Sequence, residues 1–136
     1  MTDMQEERRI PTAALPSSEA LAYLGDAIYS LFIREMLVKR GVSHAGELNR
    51  LSLLYVTAEA QSAHAHRILE RLTEWETDVY HRAYNHKGLK APKHARIAEY
   101  RAASGLEALL GALYLEGERE RIQELLGDVE PLSAEA

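Results

Sequence analysis

Residues 20–33 and 102–115 of this chain are almost wholly apolar, and each stretch carries a single charge: Asp26 in ALAYLGDAIYSLFI and Glu107 in AASGLEALLGALYL. Neither reaches the ~20 apolar residues that a helix needs to cross a bilayer. On a helical wheel apolar residues surround Asp26 on nearly every side, so both stretches read as core helices. A carboxylate there is costly to desolvate unless it is paired, hydrogen-bonded or bound to a metal ion. Two central helices, each with one isolated acid, suggest that the acids face one another around a hard cation. Mg2+ prefers oxygen ligands, keeps several waters, and takes one or two carboxylates together with substrate phosphates. The residues alone leave a second reading open, in which each acid caps a helix, bonds a buried tyrosine or pairs with an arginine.

The rest of the chain is punctuated as helix. Ser17 or Ser18 can cap a first helix with Glu19 in its first turn, running to about Lys39 or Arg40 and stopped by Gly41. Ser43 opens a second stretch in which Leu48, Leu51, Leu54, Tyr55 and Ala58 keep the 3.6-residue period, with a break near Thr57 and continuation to Leu72. Thr73 and Glu76 have the spacing of a capping box and open a short helix to about Tyr84. Residues 85–93 are turn-rich and read as a loop. A long helix from His94 or Ala95 to about Glu116, stopped by Gly117, and a last short one before Gly127 complete an all-α domain of six to seven helices. Residues 1–15 are expected to form a flexible arm, 16–127 the domain, and 128–136 a flexible tail.

Cysteine is absent, so disulfides, thiolate metal sites and a cysteine nucleophile are excluded, as suits a cytoplasmic protein. The N-terminus has no apolar run typical of a signal peptide, and no membrane partner is expected. A net charge of −5 argues against a nucleic-acid partner until the charges are located. Residues 81–101 hold Arg82, Lys87, Lys90, Lys93, Arg96 and Arg101 against the single acid Glu99, leaving ten basic and twenty acidic residues elsewhere. One segment is suited to meet an anion.

Leu24, Gly25, Asp26 and Ala27, together with Glu107 and the Ala108, Leu109, Leu110 and Gly111 that follow, resemble the paired signatures of the ribonuclease III catalytic domain in order, spacing and helical context. The resemblance covers roughly residues 16–126. With no double-stranded-RNA-binding domain, and with Arg82, Asn85, Lys87, Pro92, Lys93, Tyr100 and Arg101 before the second signature, the chain is similar to the Mini-ribonuclease III subfamily. The resemblance implies a homodimeric ribonuclease III-like helical bundle that hydrolyses double-stranded RNA with Mg2+, for which Mn2+ could substitute. It implies 5′-phosphate and 3′-hydroxyl ends, and a role in maturing a ribosomal RNA precursor of the large subunit, with room for ribosomal proteins as partners. Asp26 and Glu107 would be the catalytic metal ligands, with Glu19, Glu47 and Ser104 in support. Arg82, Asn85, Lys87, Lys90, Lys93, Arg96 and Arg101 would contact RNA phosphates.

The chain departs from the full-length ribonuclease III pattern at two acids: Ala22 stands one turn before Asp26, and Ser104 one turn before Glu107. Fewer charges imply one well-held ion, and a degenerate, non-cutting RNA-binding module is the main rival. A helical scaffold that never meets RNA is the second. His64 and His66 point to different helix faces and make a poor metal pair, and His44 has no convincing partner. His86 and His94 lie in the basic segment within reach of phosphate. Trp75 and Tyr84 are expected to pack in the core, because an RNA duplex offers few splayed bases to stack on.

Overall fold

In a computed structural model, residues 9–86 and 96–132 are described. Helix α1 (Ser18–Lys39) begins where the Ser17 hydroxyl accepts a bond from the Ala20 N–H, and ends before Gly41, whose φ of +94° suits a residue without Cβ. Helices α2 (Ala45–Val56) and α3 (Ala58–Ile68) are split at Thr57, whose extended backbone breaks the first and whose hydroxyl caps the second. A 3-10 turn, Leu69–Arg71, leads to α4 (Glu74–Tyr84), which opens with the expected capping box of Thr73 and Glu76. Then come α5 (Ile97–Leu115), ended at Gly117 with φ +75°, and α6 (Arg119–Leu126). The described residues thus form six α-helices and no strand, the expected all-α fold. The expected helix start at His94 or Ala95, most of the loop, and Lys87, Lys90 and Lys93 lie outside the described residues.

Helix α5 is the axis of the fold. Its Leu106, Leu109, Leu110 and Leu113 are fully buried, with α1, α3 and α4 packed around it. The closest approach is to α1, and small residues permit it: a Cβ on Gly25 would lie 1.6 Å from the Glu107 carbonyl oxygen, and one on Gly111 would lie 2.1 Å from that of Leu21. Backbone meets backbone at both points. This crossing brings Asp26, the neighbour of Gly25, beside Glu107.

One expectation needs correction. Helix α1 is not buried all round. It buries one stripe, Leu21, Gly25, Tyr29, Ile33 and Leu37, and leaves Tyr23 85%, Leu31 65% and Val38 60% exposed, with Asp26 also exposed. Its apolar residues serve two faces, only one of which the described residues cover. The N-terminal arm is docked over its described part, because its extended backbone groups find side-chain partners: the Ile10 N–H donates to Glu116 Oε1 at 2.8 Å, the Trp75 indole N–H donates to the Ile10 carbonyl, and Arg82 donates to the Thr12 carbonyl. The C-terminal tail is likewise held over residues 128–132, where Val129 is buried and the Leu132 N–H donates to the Leu54 carbonyl at 2.8 Å.

Candidate active site

On α1, Glu19, Ala22, Tyr23 and Asp26 fall at i, i+3, i+4 and i+7, and on α5, Tyr100, Ser104 and Glu107 fall at i, i+4 and i+7, so each set shares one helical face. The α1–α5 crossing turns the two faces toward one open cavity of about 680 Å3, closed on a further side by Ala83 and His86 at the end of α4. Asp26 reaches it from the exposed flank of α1, while Glu107 reaches it from the buried centre of α5.

Asp26 and Glu107 both line this cavity, and their carboxyl groups lie close enough to interact. Burial first, then the adjoining Asp26 carboxyl, push the Glu107 carboxyl up from its ordinary value to about 8, against a lowering contribution from Gln61. No basic side chain among the described residues offsets it. Two carboxylates this close resist ionising together near neutral pH unless a cation neutralises them. Among the described residues there is no group of three or more His, Asp or Glu placed to hold a metal ion. The donor set is therefore two carboxylates with the Ser104 hydroxyl nearby, which fits a hard ion that keeps several of its waters.

Of the supporting acids, Glu19 lines the cavity and pairs with His86 at 3.3 Å. Glu47 pairs with Arg50 at 2.6 Å on the exposed first turn of α2 and is not among the cavity's lining residues. Ala22 and Ser104 both line the cavity, so the places of the two missing acids border it. Asn85 ends α4, Arg96 stands exposed before α5, Arg101 is half-buried, and Arg82 is engaged with Thr12. His64 and His66 face different sides as their spacing suggested, but His64 is fully buried between the Leu125 carbonyl and Arg67 and not at the surface, while His66 is exposed; Trp75 is buried, as expected.

Gln61 is the residue that sequence reasoning missed. It is 3% exposed, and its amide donates to Glu107 Oε2 at 3.4 Å and to the Val56 carbonyl at 3.1 Å. It lies in AEAQSAHAHRI, a polar stretch that reads as surface, and only the packing of α3 on α5 buries it.

The family model described as Ribonuclease III domain matches residues 19–118. The chain is 52% identical over 106 residues to Mini-ribonuclease 3 of Symbiobacterium thermophilum, covering 78% of this chain and 82% of that protein. It is 42% identical to Mini-ribonuclease 3 of Enterococcus faecalis, covering 79% of this chain and 83% of the other. A crystal structure of a Fusobacterium nucleatum protein superposes with a TM-score of 0.79 at 30% identity, covering 87% of this chain and 91% of that one. With the paired acids facing one cavity on the expected all-helical frame, the chain belongs to the ribonuclease III domain family, in its Mini-ribonuclease 3 branch.

Proposed function

We propose that this chain is a Mg2+-dependent endoribonuclease that cuts double-stranded RNA as a homodimer, leaving 5′-phosphate and 3′-hydroxyl ends. The observation that carries this reading is the pair Asp26 and Glu107, facing one open cavity with no described arginine or lysine paired to either. Asp26 and Glu107 would hold the ion, and Mn2+ would occupy the same oxygen donors. Bound there, Mg2+ supplies Lewis acidity at a phosphate and acidifies a water for attack.

The protein's own part is positional. The α1–α5 crossing fixes the two carboxylates on rigid helices, and burial of Glu107 keeps bulk water from one side of the pair. Ser104 offers a neutral hydroxyl where an acid would add charge, consistent with a single ion that keeps more of its own waters and binds weakly. Glu19 reaches the cavity mouth but is shared with His86. Arg96, Arg101 and the basic segment between α4 and α5 would meet phosphates, since an RNA duplex is read through backbone and shape. The exposed Tyr23, Leu31 and Val38 on α1 supply an apolar surface for a second copy, and two-fold pairing would give one site per strand. A ribosomal RNA precursor of the large subunit, with ribosomal proteins bound to it, is the substrate the family resemblance implies, and a cytoplasmic location follows from that substrate.

One specific observation favours a second reading: Ala22 and Ser104 border the cavity where the fuller family pattern has acids, as in a fold that grips RNA without cutting it. Incubation of the purified protein with long double-stranded RNA, with and without Mg2+, separates the two. Cleavage that needs Mg2+ and falls at least ~1000-fold in Asp26→Asn and Glu107→Gln, a loss of about 4 kcal/mol in transition-state stabilisation, is expected. Cleavage that survives both substitutions contradicts the site, and retention of RNA without cleavage selects the second reading.

A further inference from the structure

We propose that Gln61 is a positioning residue of the acid pair, holding the Glu107 carboxylate toward Asp26 for ion binding; the inference rests on the metal-dependent reading above. The geometry behind it begins at the break between α2 and α3. A helix leaves its last carbonyls without intrahelical partners, and the end of α2 is buried enough that they must find others. Leu54 accepts from the Leu132 N–H at 2.8 Å, Tyr55 from the Tyr29 hydroxyl at 2.7 Å, and Val56 from the Gln61 amide at 3.1 Å. The Val56 bond settles which way the Gln61 amide faces. Rotated by half a turn, it would set its oxygen against the Val56 carbonyl and Glu107 Oε2, two acceptor–acceptor contacts in a buried place.

With its nitrogen so fixed, the amide has one hydrogen for Val56 and one for Glu107 Oε2, 3.4 Å away. Oε1 of Glu107 is left as the oxygen that Gln61 does not engage. Meanwhile the Gln61 oxygen is buried and, among the described residues, has no hydrogen-bond partner. Burying such an acceptor unpaired is unfavourable, so an apolar side chain of this length would serve packing better. The amide makes sense as a brace: a donor, anchored on a helix end, that touches one of the two acids from behind.

The test is Mn2+ binding to the RNA-free protein, followed by electron paramagnetic resonance, beside the Mg2+ dependence of cleavage. Gln61→Met keeps length and burial but removes both donors, and Gln61→Glu keeps the shape while offering acceptors only when it is ionised. Loss of such an outer hydrogen bond typically weakens a metal site by about 10-fold or more. Gln61→Met should therefore bind Mn2+ about 10-fold more weakly and need correspondingly more Mg2+ for half-maximal cleavage. Its KM for RNA should be unchanged, and its kcat should recover at saturating Mg2+.

Wild-type Mn2+ affinity in Gln61→Met, with Asp26→Asn and Glu107→Gln still inactive, overturns the role of Gln61 and leaves the nuclease reading intact. A wild type that neither binds Mn2+ nor cuts RNA overturns both. If both Gln61 variants lose the native circular dichroism, the residue serves the fold instead and the proposal falls.

Discussion

Glu76 and Glu107 are both glutamates drawn into the helical core, and the protein treats them in opposite ways. Glu76 is 1% exposed, but the Arg121 guanidinium meets both of its oxygens at 2.8 Å and the Thr73 backbone N–H donates to it at 2.9 Å. Burial alone would push its carboxyl up, yet those donors hold it below the ordinary value. Glu107 has burial and the neighbouring Asp26 against it and only the Gln61 amide in its favour, so its carboxyl rises to about 8. The contrast separates structure from function. A buried acid whose needs are met inside the chain ties helices together; one left uncompensated beside a second acid, at an open cavity, is prepared for a cation from outside.

Cutting the structural pair gives the largest stability effect. Arg121→Met leaves the Glu76 charge buried without its partner and should cost about 3 kcal/mol in denaturant unfolding, because one half of a buried ion pair is worse than neither. Cleavage per folded molecule should be unchanged. Comparable loss of catalysis at full folding would mean that the two acids are not separate in function.

The pH dependence should distinguish the acids next. Glu107 has a folded value raised to about 8 over an ordinary 4.5, so without a divalent ion the folded state holds more protons between those limits. Stability therefore falls as pH rises from about 4.5 through 8, by at most ~1.4 kcal/mol per pH unit. Protons and Mg2+ compete for the same oxygens, so Mg2+ affinity should rise up to about 10-fold per pH unit over the same range and level off above about 8. Chelator-treated protein unfolded across this range, with calorimetric Mg2+ titrations, reads both slopes. Glu76, whose value is lowered, contributes stability present above the ordinary glutamate value and lost only as pH falls below it.

The smallest effect is the most pointed. At pH 7 without Mg2+ the Glu107 carboxyl, raised to about 8, is mostly protonated, so Glu107→Gln exchanges one neutral side chain for another and should change stability by less than about 1 kcal/mol. A loss of the size expected for Arg121→Met would place Glu107 in the same class as Glu76.

Much of this division was legible in the chain itself. The Thr73 and Glu76 spacing announced a capping box and Thr57 the helix break, because helical period and local hydrogen bonding are properties of neighbours in sequence, while the isolation of each acid in an apolar stretch suggested that the two would face one another. Other features depend on which faces meet. The partner of Glu76 lies 45 residues away in a short charged helix, and nothing local selects Arg121 over Arg119. A helical wheel counted the apolar residues around Asp26 but not which stripe α5 would cover, hence the exposed flank of α1. The docking of Ile10 on Trp75 and Glu116 joins segments up to 106 residues apart.

Whether Glu107 is an uncompensated acid awaiting a cation can be measured directly by following its side-chain carboxyl resonance through a pH titration of 13C-labelled protein. A midpoint near 8 without divalent ions, falling by a unit or more on adding Mg2+ and again in Asp26→Asn, is expected. A midpoint near 4.5 that neither Mg2+ nor Asp26→Asn moves would contradict it.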